Sequence, residues 1–150
     1  MSPTPRTHIA LLTLIATALL FSCDSSDAEQ AQARALATGA ERHYTFEGFM
    51  DGFYGVGGAI DGIKNPTIEV QAGDEVTFHL INGEDMAHDI ALKSHGLRSE
   101  MLIRTGEETT LTFIALRDDQ YYCTVPGHVQ TGMIGDLRVL PPPDDPGGDP

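Results

Sequence analysis

Val76-Thr77-Phe78-His79-Leu80 and Thr110-Leu111-Thr112-Phe113 alternate apolar with polar side chains at a period of two. In an extended chain successive side chains point to opposite faces, so this period puts one face in a core and the other in water, which a helix of period 3.6 cannot do. Both segments are expected as half-buried strands. Further strands are expected at 43–49, 67–71, 88–92, 120–124 and 135–140, separated by the turn signals Ala72-Gly73-Asp74, Asn82-Gly83 and Thr105-Gly106. Short strands at this spacing imply an all-β sandwich or barrel. No internal repeat interrupts the pattern, and no stretch of it argues for a long helix.

The chain has 150 residues, of which 41% are hydrophobic, enough for one domain and some unstructured chain. After Arg6, residues 9–21 are apolar apart from Thr13 and Thr17, the pattern of a secretory signal. The run is too short to span a bilayer, which takes about 20 residues. Leu20-Phe21-Ser22-Cys23 resembles a bacterial lipobox, although Phe21 is larger than the usual residue, so Cys23 is expected to carry lipid and anchor the protein to a membrane. Asp24 stands where it favours retention in the inner membrane of enterobacteria. The expected organisation is a signal peptide at 1–22, a flexible tether rich in Ala, Gln, Ser and Asp at 23–42, and a domain at 43–140. A disordered tail of Pro, Asp and Gly follows at 141–150.

Loss of residues 1–22 removes one basic side chain, leaving 8 Lys and Arg against 22 Asp and Glu, a net charge of −14. Such a protein is a poor match for nucleic acid or anionic lipid, whereas a basic redox protein would be steered towards it at low ionic strength.

With Cys23 lipidated, the mature chain retains a single cysteine, Cys123, so no internal disulfide can form. An exported lone thiol is exposed to oxidation unless something protects it, and metal coordination does so. Cys123, His128 and Met133 lie within eleven residues, close enough for one loop to aim all three at a point. Thiolate, imidazole and thioether together favour copper, and two His, one Cys and a distant Met make the blue-copper set. His88, in Met86-Ala87-His88-Asp89, provides the second histidine from 35 positions upstream.

Cys-x4-His-x4-Met, closed by a Gly and a final strand, resembles the ligand loop of the rusticyanin and auracyanin cupredoxins, and its first half resembles that of azurin. Met86-Ala87-His88-Asp89 is similar to the Met-Gly-His-Asn of azurin. Asn65-Pro66-Thr67-Ile68 and Ala72-Gly73-Asp74-Glu75-Val76 resemble cupredoxins generally, so the likeness spans nearly the whole domain. It implies a Greek-key β-barrel or sandwich with one type 1 copper ion near one end. His88, Cys123 and His128 would form a trigonal plane with Met133 axial, and His128, flanked by Pro126, Val129 and Ile134, would be the electron exit. Asp89 stands where azurin has Asn, which braces the ligand strands. An ionised carboxylate cannot donate as that amide does, so Asp89 is expected either to turn outward or to lower the copper potential.

The other histidines and methionines have blander readings. His79 alternates with Phe78 and Leu80 and should face solvent, His43 at a strand start and His95 in a loop have no partner motifs, and His8 leaves with the signal. Met86 and Met101 are expected to fill core gaps. The glycine-rich stretch from Gly52 to Gly62 lacks a phosphate-loop lysine and is expected as a surface loop, a candidate docking patch.

These residues point to a monomeric carrier of single electrons rather than an enzyme, serving a c-type cytochrome or a terminal reductase or oxidase. Copper nitrite reductases contain this domain but place second-site ligands just before the Cys and five positions after the first His, where this chain has Tyr122 and Lys93. A dinuclear centre needs two cysteines in the loop, and only Cys123 is there. Two alternatives remain: a copper-handling module, which would favour several exposed Met or His ligands over one closed set, and a copper subunit of a larger redox enzyme.

Overall fold

The computed structural model describes residues 29–30 and 39–141. The expected signal peptide, Cys23, most of the expected tether and all but the first residue of the expected tail lie outside the described residues.

Among the described residues, nine strands form two sheets. One sheet has the order β2-β1-β4-β7, from β1 (Glu41–Phe49), β2 (Gly52–Val56), β4 (Glu75–Asn82) and β7 (Glu108–Ile114). The other has the order β3-β9-β8-β5-β6, from β3 (Ile68–Gln71), β5 (Ala91–Leu92), β6 (Leu97–Arg98), β8 (Asp119–Tyr122) and β9 (Ile134–Leu140). The β1–β4 and β3–β9 pairs are parallel and the rest antiparallel. The chain changes sheets after β2, β3, β4, β6 and β7, as expected of a Greek-key sandwich. One short helix, α1 (His128–Thr131), stands between β8 and β9.

The period of two is realised in β4, which alternates half-buried and buried positions along its whole length. Its inward side chains Val76, Phe78 and Leu80 meet Phe46, Phe53, Phe113 and Tyr121 between the sheets. Burying each large apolar side chain contributes about 1.5–3 kcal/mol. Phe78 lies edge-on to Phe46, Phe113 and Tyr121, with centroids 5.2–5.6 Å apart. Tyr121 donates its hydroxyl to the Pro66 carbonyl at 2.6 Å, and its ring fills the space beside Gly135, its register partner. A Cβ at Gly135 would lie 2.2 Å from that ring, so only glycine fits there.

Several boundaries differ from those read in the sequence. β1 starts at Glu41, because Glu41 and Arg42 already pair with β4. The glycine-rich stretch is not all loop: Gly52–Val56 is a strand paired with β1, followed by a 3-10 turn at Gly58–Ile60. Gly52 and Gly55 permit this, since Cβ atoms there would collide with Lys64 and with the Ile60 backbone. Residues 88–90 and 123–124, expected as strand, lie outside β5 and β8.

Candidate metal centre

The register of the second sheet gathers the candidate ligands. Ala91 pairs with Tyr122, and Tyr122 pairs with Ile134. The start of β5, the end of β8 and the start of β9 therefore share one end of the sandwich. His88 precedes β5 by three residues, Cys123 follows β8 directly, and Met133 precedes β9 directly. His88 is held by a backbone bridge to Leu102, with bonds of 2.9 and 2.8 Å. Cys123 donates its N–H to the Met133 carbonyl at 3.2 Å, closing the loop that carries His128 as the first residue of α1. Gly127 and Gly132 flank α1 at φ 93° and 116°, conformations that let so short a loop turn twice.

Donor atoms of His88, Cys123 and His128 all lie within 4.8 Å of one another. Cys123 Sγ is 3.5 Å from His128 Nδ1, and the two imidazole centroids are 5.0 Å apart. His88 and Met133 are fully buried, Cys123 is 1% exposed and His128 retains 5%. His88 Nε2 lies 3.2 Å from Glu84 Oε1, whereas Nδ1 is buried with no hydrogen-bond partner. A buried polar atom without a partner costs about 1–3 kcal/mol. An orphaned imidazole nitrogen beside a thiol and a second imidazole fits a soft metal ion such as copper.

Burial holds the His88 pKa below its usual value, partly opposed by Glu84, which favours the neutral ring that can ligate. Burial likewise raises the Cys123 thiol to about 11, although the backbone N–H groups of Asp89 and Val125 reach the sulfur and pull the other way. Asp89 does not turn outward. It is fully buried, accepts the Thr124 N–H at 2.6 Å and the Thr124 hydroxyl, and lies 3.9 Å from the exposed Arg98 guanidinium.

The sequence of copper binding proteins of the plastocyanin/azurin family matches residues 63–140, more than half of the chain. The chain belongs to that copper-binding family. No curated protein matches it. Its fold is similar to that of rusticyanin from Thiobacillus ferrooxidans, at 19% identity and a TM-score of 0.54 over 73% of this chain and 93% of that one. It is also similar to dithionite-reduced auracyanin from Roseiflexus castenholzii, at 18% identity and a TM-score of 0.52 over 67% and 97%. A copper-containing nitrite reductase from Thermus scotoductus matches at 22% identity and a TM-score of 0.50 over 69% of this chain but 28% of its own. The cupredoxin fold expected from the ligand loop is thus the fold of this copper-binding chain.

One expectation for the surrounding residues fails. Met86 and Met101 are 38% and 43% exposed and fill no core gap: Met86 sits in the bend after β4, and beside Met101 it is Leu102, bridged to His88, that takes the buried position. His95 has a partner: its Nδ1 lies 2.7 Å from Asp119 Oδ2, and both side chains are fully buried. His79 is half-buried on the outer face of β4 and reaches Glu108 at 3.0 Å.

Sequence reasoning missed the braces around the site. Met50, in the β1–β2 turn, donates its N–H to Glu84 and accepts the Thr131 hydroxyl of α1. Asn65 accepts the Phe53 N–H at 2.9 Å and donates to the Gly132 carbonyl at 2.8 Å. A turn distant in sequence thereby joins both ligand loops. Only Asn65 carried a signal, through its place in Asn65-Pro66-Thr67-Ile68.

Proposed function

We propose that this chain is a mononuclear type 1 copper protein that carries single electrons between exported redox partners. The observation that carries the reading is the meeting of His88, Cys123 and His128 in a buried cluster with one imidazole nitrogen unpartnered. Copper bound there would supply reversible one-electron chemistry. His88, Cys123 and His128 would hold it, with the fully buried Met133 alongside as the weak fourth ligand. The chain's part is rigidity: each candidate ligand is tied by backbone bonds to a neighbouring strand or turn, so little need move when the charge changes. His128 is the most exposed of the four and would pass the electron out, with Pro126 and Gly127 exposed beside it.

A carrier is favoured over an enzyme by the residues at the positions of a nitrite reductase second site. Lys93 and Tyr122 line one shallow depression with Gln120, Val129 and Ile134, which offers no imidazole. The net charge of −13 favours a basic partner such as a c-type cytochrome. The apolar leader and Cys23 support export and a lipid anchor, and Cys23→Ser should move the protein from the membrane to the soluble fraction.

Titration of the purified domain with copper(II) should give an intense blue or green charge-transfer band that saturates at one ion per chain. Cys123→Ser should abolish it. A colourless wild type, or colour surviving in the variant, would remove the copper site from these residues.

A further inference from the structure

Glu84 touches a candidate ligand yet is part of no ligand motif. Its Oε1 lies 3.2 Å from His88 Nε2 and also accepts the Met50 N–H. A carboxylate only accepts hydrogen bonds, so the imidazole must carry its proton on Nε2 to make this contact. Nδ1 is then the bare nitrogen, and it is the buried atom left without a partner. The contact therefore selects the tautomer whose lone pair is free for a metal.

The carboxylate is itself held in place. Glu84 donates its backbone N–H to Asn82 Oδ1 at 3.2 Å, and Asn82, 1% exposed at the end of β4, donates its amide to the Met86 carbonyl at 2.8 Å. The adjacent Gly83 lies against Phe49, where a Cβ would sit 2.4 Å from the ring. The turn thus packs on β1 and aims Glu84 inward, although the side chain keeps about a third of its surface, 32%, in water.

We propose that Glu84 is a positioning residue of the metal centre: it fixes His88 with Nδ1 towards the ion and holds negative charge one imidazole away. This rests on reading His88 as a ligand. Two effects are separable, because a glutamine keeps an oxygen acceptor for Nε2 but loses the charge, whereas an alanine loses both.

The test compares wild type with Glu84→Gln and Glu84→Ala, each verified as folded by the melting temperature of its copper-free form. Nitrogen NMR of the copper-free protein should show His88 protonated on Nε2 in the wild type and a mixed tautomer in the alanine variant. Competition against a chelator should show copper(II) affinity falling about 10–100-fold in Glu84→Ala and much less in Glu84→Gln. The potential of the glutamine variant should lie above the wild type, because negative charge near the site stabilises copper(II) over copper(I). An alanine variant with wild-type affinity and tautomer overturns the positioning role, and a glutamine variant with wild-type potential overturns the role of the charge. A wild type that forms no charge-transfer band overturns the copper reading itself, and the proposal with it.

Discussion

Asp89 and Thr124, which are 35 positions apart, are joined twice, by the Thr124 N–H to Oδ1 at 2.6 Å and by the Thr124 hydroxyl to Oδ2. One residue follows His88 and the other follows Cys123, so the pair ties the two ligand segments together just behind the candidate ligands. An amide in place of the carboxylate was not required for this brace. Thr124 supplies both donors, and Asp89 need only accept.

We predict that Asp89→Asn keeps the brace and raises the copper potential, since a buried negative charge is removed beside the site. Asp89→Ala should destabilise the copper-free protein by about 1–3 kcal/mol, because the Thr124 N–H loses its partner. Voltammetry and denaturant titration read the two effects. An unchanged potential in Asp89→Asn would leave the charge with no part in tuning.

Cys123 gives the copper-free fold an alkaline weakness. Its thiol ionises near 9 in an ordinary setting and at about 11 when buried here, so the unfolded chain releases the proton first. Stability should fall as pH rises from about 9 to about 11, by roughly 2 kcal/mol relative to Cys123→Ala. Denaturant midpoints for both copper-free proteins across that window check the difference, and parallel curves would contradict it.

The His95–Asp119 pair sets an acid limit elsewhere in the same sheet. Burial opposes ionisation of Asp119, but the His95 side chain and the backbone N–H groups of Ser94, Gln120 and His95 outweigh it and hold the carboxyl at about 2. Its contribution is complete above the ordinary carboxylate range and is lost as pH falls through about 4 towards 2. Asp119→Asn should therefore cost most at neutral pH, roughly 2 kcal/mol, and little near pH 2. A cost independent of pH would show that packing, not charge, is what Asp119 supplies.

Met133→Leu nearly conserves volume at a fully buried position, so the fold should survive with a cost below about 1.5 kcal/mol. Copper should still bind, and its potential should rise because a weak donor to copper(II) is lost. If the potential of the purified variant equals that of the wild type, Met133 is a packing residue beside the site.

Much of this was legible in the sequence because it is local. The alternation in Val76-Thr77-Phe78-His79-Leu80 records which side of β4 faces the core, and Cys123, His128 and Met133 are close enough in sequence that one loop must hold them together. Their residue types fixed the chemistry, since sulfur and imidazole donors select for copper. Only the tertiary structure decided which groups stand behind the ligands. Asp89 reaches Thr124, His95 reaches Asp119, and Glu84 reaches His88 while Met50 bridges it to Thr131, each through hydrogen bonds set by strand register and turn packing. Spacing along the chain cannot show such contacts, because a hydrogen bond depends on positions to within a few tenths of an ångström, which the packed sandwich sets and the pattern of apolar residues does not.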